Sequence, residues 1–192
     1  HSLYVGFVMI LDTESDVVDC ELAWSPDTVE WHRISPGSSI IPRGPAGSYD
    51  WGCIYAAAGP VPDGDDVRLY YSGSDDTHMS WRKAAIGLAR VRRDRYAGMT
   101  PVQAGDTAVV ETAPVVCSGP TLKVNADASC GSVRVGIVDS ESCAVSTCRP
   151  VVADVLDGVV EWDAGDLSPL VGKTVRLVFE LRDASLYSFS FA

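Results

Sequence analysis

The chain has 192 residues, 46% of them hydrophobic, and a formal net charge of −11. That is enough apolar material for one large or two small folded domains, which argues against disorder. The charge opposes binding to nucleic-acid phosphates or anionic membranes, and no run of apolar residues is long enough to cross a bilayer as a helix.

The N-terminal stretch His1-Ser2-Leu3-Tyr4-Val5 lacks the basic region, apolar run and small-residue cleavage site of a signal peptide. Secreted and cytoplasmic placements both stay open. Helical periodicity is almost absent. Short β-branched and aromatic runs alternate with Gly, Pro, Asp and Ser clusters, which predicts an all-β chain. In chain order the expected strands are 4–11, 18–24, 30–34, 52–57, 67–71 and 84–91, then 108–111, 121–126, 132–138, 151–156, 159–162, 174–181 and 186–191. Turns are expected at Pro62-Asp63-Gly64-Asp65, Ala128-Ser129-Cys130-Gly131 and Leu156-Asp157-Gly158.

The front half carries an internal repeat. Leu3-Tyr4-Val5-Gly6 returns as Leu69-Tyr70-Tyr71-Ser72-Gly73, and Leu22-Ala23 returns as Leu88-Ala89, both at an offset of 66 residues. Each Leu-Ala leads into a polar turn and then an aromatic, Trp31 or Tyr96. A repeat of this size with about four strands marks propeller blades. The first copy lacks the strand that precedes the second, so the sequence reads as starting inside a blade. After Ala104-Gly105-Asp106 the repeat ends and the strand spacing becomes that of a sandwich. The expected organisation is therefore a partial β-propeller of one to two four-stranded blades over 1–105, then an antiparallel β-sandwich over 106–192.

Six cysteines are present, with no CxxC pair and with Cys143 and Cys148 far from any histidine for zinc. They read mostly as free, small core residues, with a Cys143–Cys148 bridge as the exception.

Several motifs carry a family resemblance. Leu22-Ala23-Trp24-Ser25-Pro26-Asp27 through Trp31 resembles the "Ser-x-Asp-Gly-x-x-Trp" turn of five-bladed glycoside hydrolase propellers related to families 32, 43 and 68, with Thr28 at the Gly position. Ile41-Pro42-Arg43-Gly44, Gly47-Ser48-Tyr49-Asp50-Trp51-Gly52 and Leu69-Tyr70-Tyr71-Ser72-Gly73 followed by Ala85-Ile86-Gly87-Leu88-Ala89 are similar to their closing blades. The tail, Gly172-Lys173-Thr174-Val175-Arg176-Leu177 and onward to Phe189, resembles the sandwich that follows such propellers. The resemblance implies a glycosidase-like protein whose nucleophile and general acid lie in earlier blades. No catalytic carboxylate is carried over to this chain.

Asp50, between Gly47 and Gly52 and beside Tyr49 and Trp51, is the leading candidate site residue. A carboxylate there accepts from sugar hydroxyls while an aromatic face packs on the ring. The alternatives are a structural cap of a glycine-rich turn or a catalytic carboxylate. His78 sits in the polar loop 74–83 with Asp75, Asp76, Trp81 and Arg82, a set suited to polyol recognition, to a plain solvated loop or, on weaker grounds, to a metal. Arg43 is expected to pair with Asp50 or with a ligand carboxylate. Trp162, Tyr187 and Phe189 read as core rather than as a sugar platform.

Together these readings predict a non-catalytic C-terminal portion of a glycoside-hydrolase-like protein. It would complete the propeller, contribute Asp50, Trp51, His78 and Arg43 to a carbohydrate site and take no cofactor or metal. Two alternatives stand beside it. One is a self-contained carbohydrate-binding or interaction module that forms a homo-oligomer through its open blade edge. The other is a glycosidase with a site assembled between subunits.

Overall fold

The computed structural model describes residues 3–192. His1 and Ser2, which open the stretch read above for a signal peptide, lie outside the described residues. The chain is all-β, with only two short 3-10 turns, Val145–Thr147 and Ser168–Leu170, among the described residues. It divides into two units, His1–Tyr96 and Ala97–Ala192.

The first unit contains β1 (Tyr4–Asp12), β2 (Val17–Ser25), β3 (His32–Arg33), β4 (Ser39–Ile41), β5 (Cys53–Ala56), β6 (Val61–Asp63), β7 (Asp66–Ser74) and β8 (Ala84–Arg92). All eight belong to one sheet that does not close on itself. Two long antiparallel hairpins, β1–β2 and β7–β8, dominate it. The short strand β5 links them, pairing antiparallel with β7 and in parallel with β2 through Val18 and Cys53. Strand alternation puts Val67, Leu69 and Tyr71 of β7 on one face, where they join Cys20, Ile41 and Ile54 in a small core.

Leu22, Leu69 and Leu88 lie in the hairpin strands and Leu3 just before β1, and the positions are not equivalent. Leu22 lies opposite Phe7, whereas Leu88 lies opposite Tyr70. Leu22 and Leu69 are buried at 5% and 3% exposure, while Leu3 and Leu88 are 64% and 44% exposed. The offset of 66 thus matches hairpin to hairpin without matching register. The connections differ too: β1 and β2 are joined by residues 13–16, β7 and β8 by the longer loop 75–83.

The turn after β2 keeps the geometry of the glycine it lacks. Thr28 adopts φ 69°, the left-handed region that a β-branched side chain disfavours. Ser25 Oγ accepts from Thr28 N at 2.8 Å, and Asp27 Oδ1 accepts from the amides of Val29 and Glu30 at 2.8 and 3.0 Å. The expected strand at 30–34 shortens to β3, because Ser35 at φ 47° and Pro36 end it. The Pro62–Asp65 turn forms as expected. Asp63 pairs with Asp66 across Gly64, whose φ of 65° suits a tight hairpin.

The second unit contains β9 (Thr107–Glu111), β10 (Val115–Val116), β11 (Leu122–Asp127), β12 (Ser132–Ile137), β13 (Asp154–Val159), β14 (Thr174–Val175), β15 (Leu177–Arg182) and β16 (Ser185–Phe191). They form two three-stranded antiparallel sheets, β13-β11-β16 and β12-β15-β9, and a β10–β14 ribbon. Residues from both sheets, including Leu122, Val124, Val133, Val135, Leu177, Phe179 and Leu181, make one buried cluster. Segment 97–105, grouped by composition with the front half, hydrogen-bonds here instead: the amide and carbonyl of Met99 pair with those of Leu186.

Three expectations change. The turn expected at Leu156–Gly158 is a register shift inside β13, where the pairing of β11 slips between Val124 and Ala126. The single strand expected at 174–181 breaks at Arg176, because β14 pairs with β10 and β15 with β9 and β12. The Cys143–Cys148 bridge is absent, and all six cysteines are free. The Cys143 thiol donates to the Asp166 carbonyl and the Cys148 thiol to that of Arg149, so the two point to different partners. Trp162 is buried, its indole N–H donating to the Val135 carbonyl at 2.9 Å.

Candidate functional site

The turn between β4 and β5 carries Arg43, Asp50 and Trp51. Asp50 is 8% exposed, which is rare for a carboxylate unless its oxygens are satisfied. Both are. Oδ1 accepts from Ser48 Oγ at 2.8 Å, and Oδ2 accepts from the Tyr71 hydroxyl at 2.8 Å. The Tyr71 hydroxyl lies 2.8 Å from that of Tyr49, whose side chain is half-exposed. A Ser48–Asp50–Tyr71–Tyr49 chain therefore runs from a buried carboxylate to a phenol at the surface.

Three glycines make room for it. A Cβ at Gly44 would stand 2.2 Å from Asp50 Oδ1, one at Gly73 2.4 Å from Asp50 Cβ, and one at Gly87 2.2 Å from Tyr71 Cζ. The last follows from register, since Tyr71 sits directly opposite Gly87 on β8 and Ala56 on β5. Tyr71 holds its proton well above the usual tyrosine range. Burial is the main cause, followed by its bonds to Tyr49 and Asp50.

Arg43 does not pair with Asp50. Its Nε donates to Asp19 Oδ1 at 2.9 Å and its Nη1 to the Trp51 carbonyl at 3.0 Å. Asp19 lies on β2, so this arginine fastens the turn to the first hairpin. Trp51 Nε1 donates to the Asp75 carbonyl at 2.5 Å and ties the same turn to the loop 75–83.

His78 belongs to another cluster. Its Nδ1 lies 2.8 Å from the Tyr55 hydroxyl, its amide donates to the Asp16 carbonyl at 2.7 Å, and its own carbonyl accepts from Arg82. Burial raises the Tyr55 pKa, aided by a hydrogen bond with Cys53. Tyr55 shares its face of β5 with Cys53, opposite Ser72 and Ser74, whereas Ile54 and Ala56 face Gly73 and Tyr71. His78 and the Asp50 chain therefore lie on opposite faces of the sheet. The four residues singled out from sequence do not converge into one constellation.

The loop itself is internally fastened. Asp75 Oδ1 accepts from Lys83 N at 2.7 Å, Asp76 Oδ1 from Thr77 N at 2.8 Å, and Asp16 Oδ2 from Met79 N at 2.9 Å. The Met79 bond is the largest cause of a lowered Asp16 pKa. Among the described residues no three His, Cys, Asp or Glu side chains gather as a metal site.

Sequence reasoning named Tyr49 only as a neighbour of Asp50 and gave no part in the site to Tyr71 or Ser48. One signal was available for Tyr71. The alternation Val67, Leu69, Tyr71 reads as a core face, and a buried phenol needs a hydrogen-bond partner. No family model matches the chain, and no curated protein or solved structure matches it either.

Proposed function

We propose that the chain is the non-catalytic C-terminal portion of a glycoside-hydrolase-like protein, a partial β-propeller followed by a β-sandwich, and that its first unit contributes to carbohydrate binding around Asp50. The observation that carries this reading is the buried Asp50 carboxylate, held by Ser48 and Tyr71 and leading to the half-exposed Tyr49 with Trp51 beside it. Aromatic rings next to fixed polar groups suit a sugar, which offers apolar C–H faces and hydroxyls together. The paired hairpins of the first unit and the two sheets of the second, joined by one core, support the fold assignment. The test is a neutral-glycan array probed with the whole chain and with Asp50→Asn. The reading expects at least one glycan bound and that binding weakened by the substitution. An array with no bound glycan refutes it.

A second reading rests on a separate observation. Among the described residues β1 pairs only with β2 and β8 only with β7, so both are edge strands. They expose Val5, Met9 and Leu11 on one side and Ile86 and Leu88 on the other. Apolar edges of this kind favour strand addition from another polypeptide. In this reading the chain is an interaction module that associates through those edges. Light scattering across a wide concentration range tests it, and a monomer throughout would remove it.

A further inference from the structure

We propose that the Tyr49 hydroxyl is a hydrogen-bond acceptor, its polarity set by Asp50 through Tyr71, so that it selects ligand groups that donate. The inference deepens the carbohydrate reading and rests on it.

The argument is one of proton direction. A carboxylate only accepts, and both oxygens of Asp50 are engaged, one by Ser48 and one by Tyr71. The single proton of Tyr71 is therefore committed to Asp50. A phenol has no second proton, so Tyr71 can only accept from Tyr49 across the 2.8 Å between their oxygens. That commits the Tyr49 proton inward. What remains on the oxygen of this half-exposed side chain is its lone pairs. The chain has one source of charge and no branch, and each bond polarises the next, which makes the terminal oxygen a better acceptor than a lone tyrosine.

The packing fixes the geometry as well. The Tyr49 ring passes 3.3 Å from where a Gly73 Cβ would stand, and Tyr71 lies over Gly87, so neither ring can swing inward without displacing backbone. Removing only the oxygen of Tyr49 leaves that packing in place. The chemical class selected is a neutral polyol hydroxyl, acting as donor.

The test is a glycan array read with wild type, Tyr49→Phe and Tyr71→Phe, followed by titration of the strongest bound glycan and its monodeoxyfluoro analogues. Fluorine keeps a weak acceptor but removes the donated proton. For wild type, one analogue should bind roughly three- to tenfold more weakly than the parent, the range of one hydrogen bond. Tyr49→Phe should weaken the parent by a similar factor and abolish that discrimination. Tyr71→Phe frees the Tyr49 proton to point outward, so discrimination should fall while some affinity for the parent remains. Glycans bound equally by wild type and Tyr49→Phe would overturn this inference and leave the carbohydrate reading intact. So would a Tyr71→Phe variant, folded by circular dichroism, that discriminates as wild type does. No glycan bound by wild type would overturn both.

Discussion

The two units bury different things. Among the described residues, the second holds nineteen buried core residues in one cluster, against six in the first. The first holds Glu21, Ser25, Asp50 and Ser74 as buried polar groups, whereas the second holds only Asn125. It also presents large apolar side chains along both edge strands and on the loop 75–83, where Met79 and Trp81 stand out in solvent. The second unit thus draws its stability from an apolar, continuous core. The first unit buries two carboxylates among the described residues, Glu21 held by Arg33 and the Gly37 amide, and Asp50 held by Ser48 and Tyr71.

Substitutions separate the two designs. The largest effect falls on the apolar core. Phe179 is almost fully buried and packs against Phe189, with ring centroids 5.5 Å apart and planes tilted by 40°. Phe179→Ala should cost about 3–5 kcal/mol in urea denaturation. It should leave any ligand binding by the first unit unchanged in the temperature range where both variants are folded. A small loss would mean that the cluster is looser than its burial implies.

In the first unit the expected sensitivity lies at the polar chain. At Gly73 an added methyl meets Asp50 Cβ at 2.4 Å and its backbone Cα at 3.0 Å. Gly73→Ala should cost about 1–3 kcal/mol and lower glycan affinity as well. Stability and affinity unchanged together would show that the turn moves freely.

Alkaline pH tests the apolar part of the same unit. Burial pushes the Cys20 thiol from 9.0 to about 11. A folded pKa above the unfolded one means that the stabilisation is complete below pH 9 and is lost as pH rises through about 11. A shift of this size corresponds to a loss on the order of 2–3 kcal/mol across that window. Tyr71, also raised, adds loss in the same direction. Chemical denaturation at a series of pH values should show a flatter alkaline profile for Cys20→Ala than for wild type. Identical profiles would assign the loss to other groups.

The smallest effect has the opposite sign. Thr28 holds a left-handed backbone at φ 69°. Thr28→Gly should raise stability, because it removes strain of about 1–2 kcal/mol less the entropy cost of glycine. A lowered melting temperature would mean that the threonine side chain offsets its strain.

What was legible in the sequence follows from how local its causes are. The long hairpins, the Gly64 turn and the Ser25–Asp27 turn were readable, because alternation and turn chemistry act over a few residues. Ser39–Ile41, Val61–Asp63 and Val115–Val116 were not, since strands of two or three residues owe their form to a partner and carry no period of their own. The same limit applied at the site. Asp50 was visible among its glycines, but Tyr71 is twenty-one positions away, and Asp19, which claims Arg43, is twenty-four from it. The face relation that separates His78 from Asp50 depends on the β5–β7 register, which no local pattern fixes.

The most direct measurement is the binding of neutral glycans to the whole chain, compared among wild type, Tyr49→Phe and Phe179→Ala at a temperature where all three are folded. The account predicts that wild type and Phe179→Ala bind the same glycan alike while Tyr49→Phe binds it several-fold more weakly. Equal binding by all three, or binding lost only with Phe179→Ala, would contradict it.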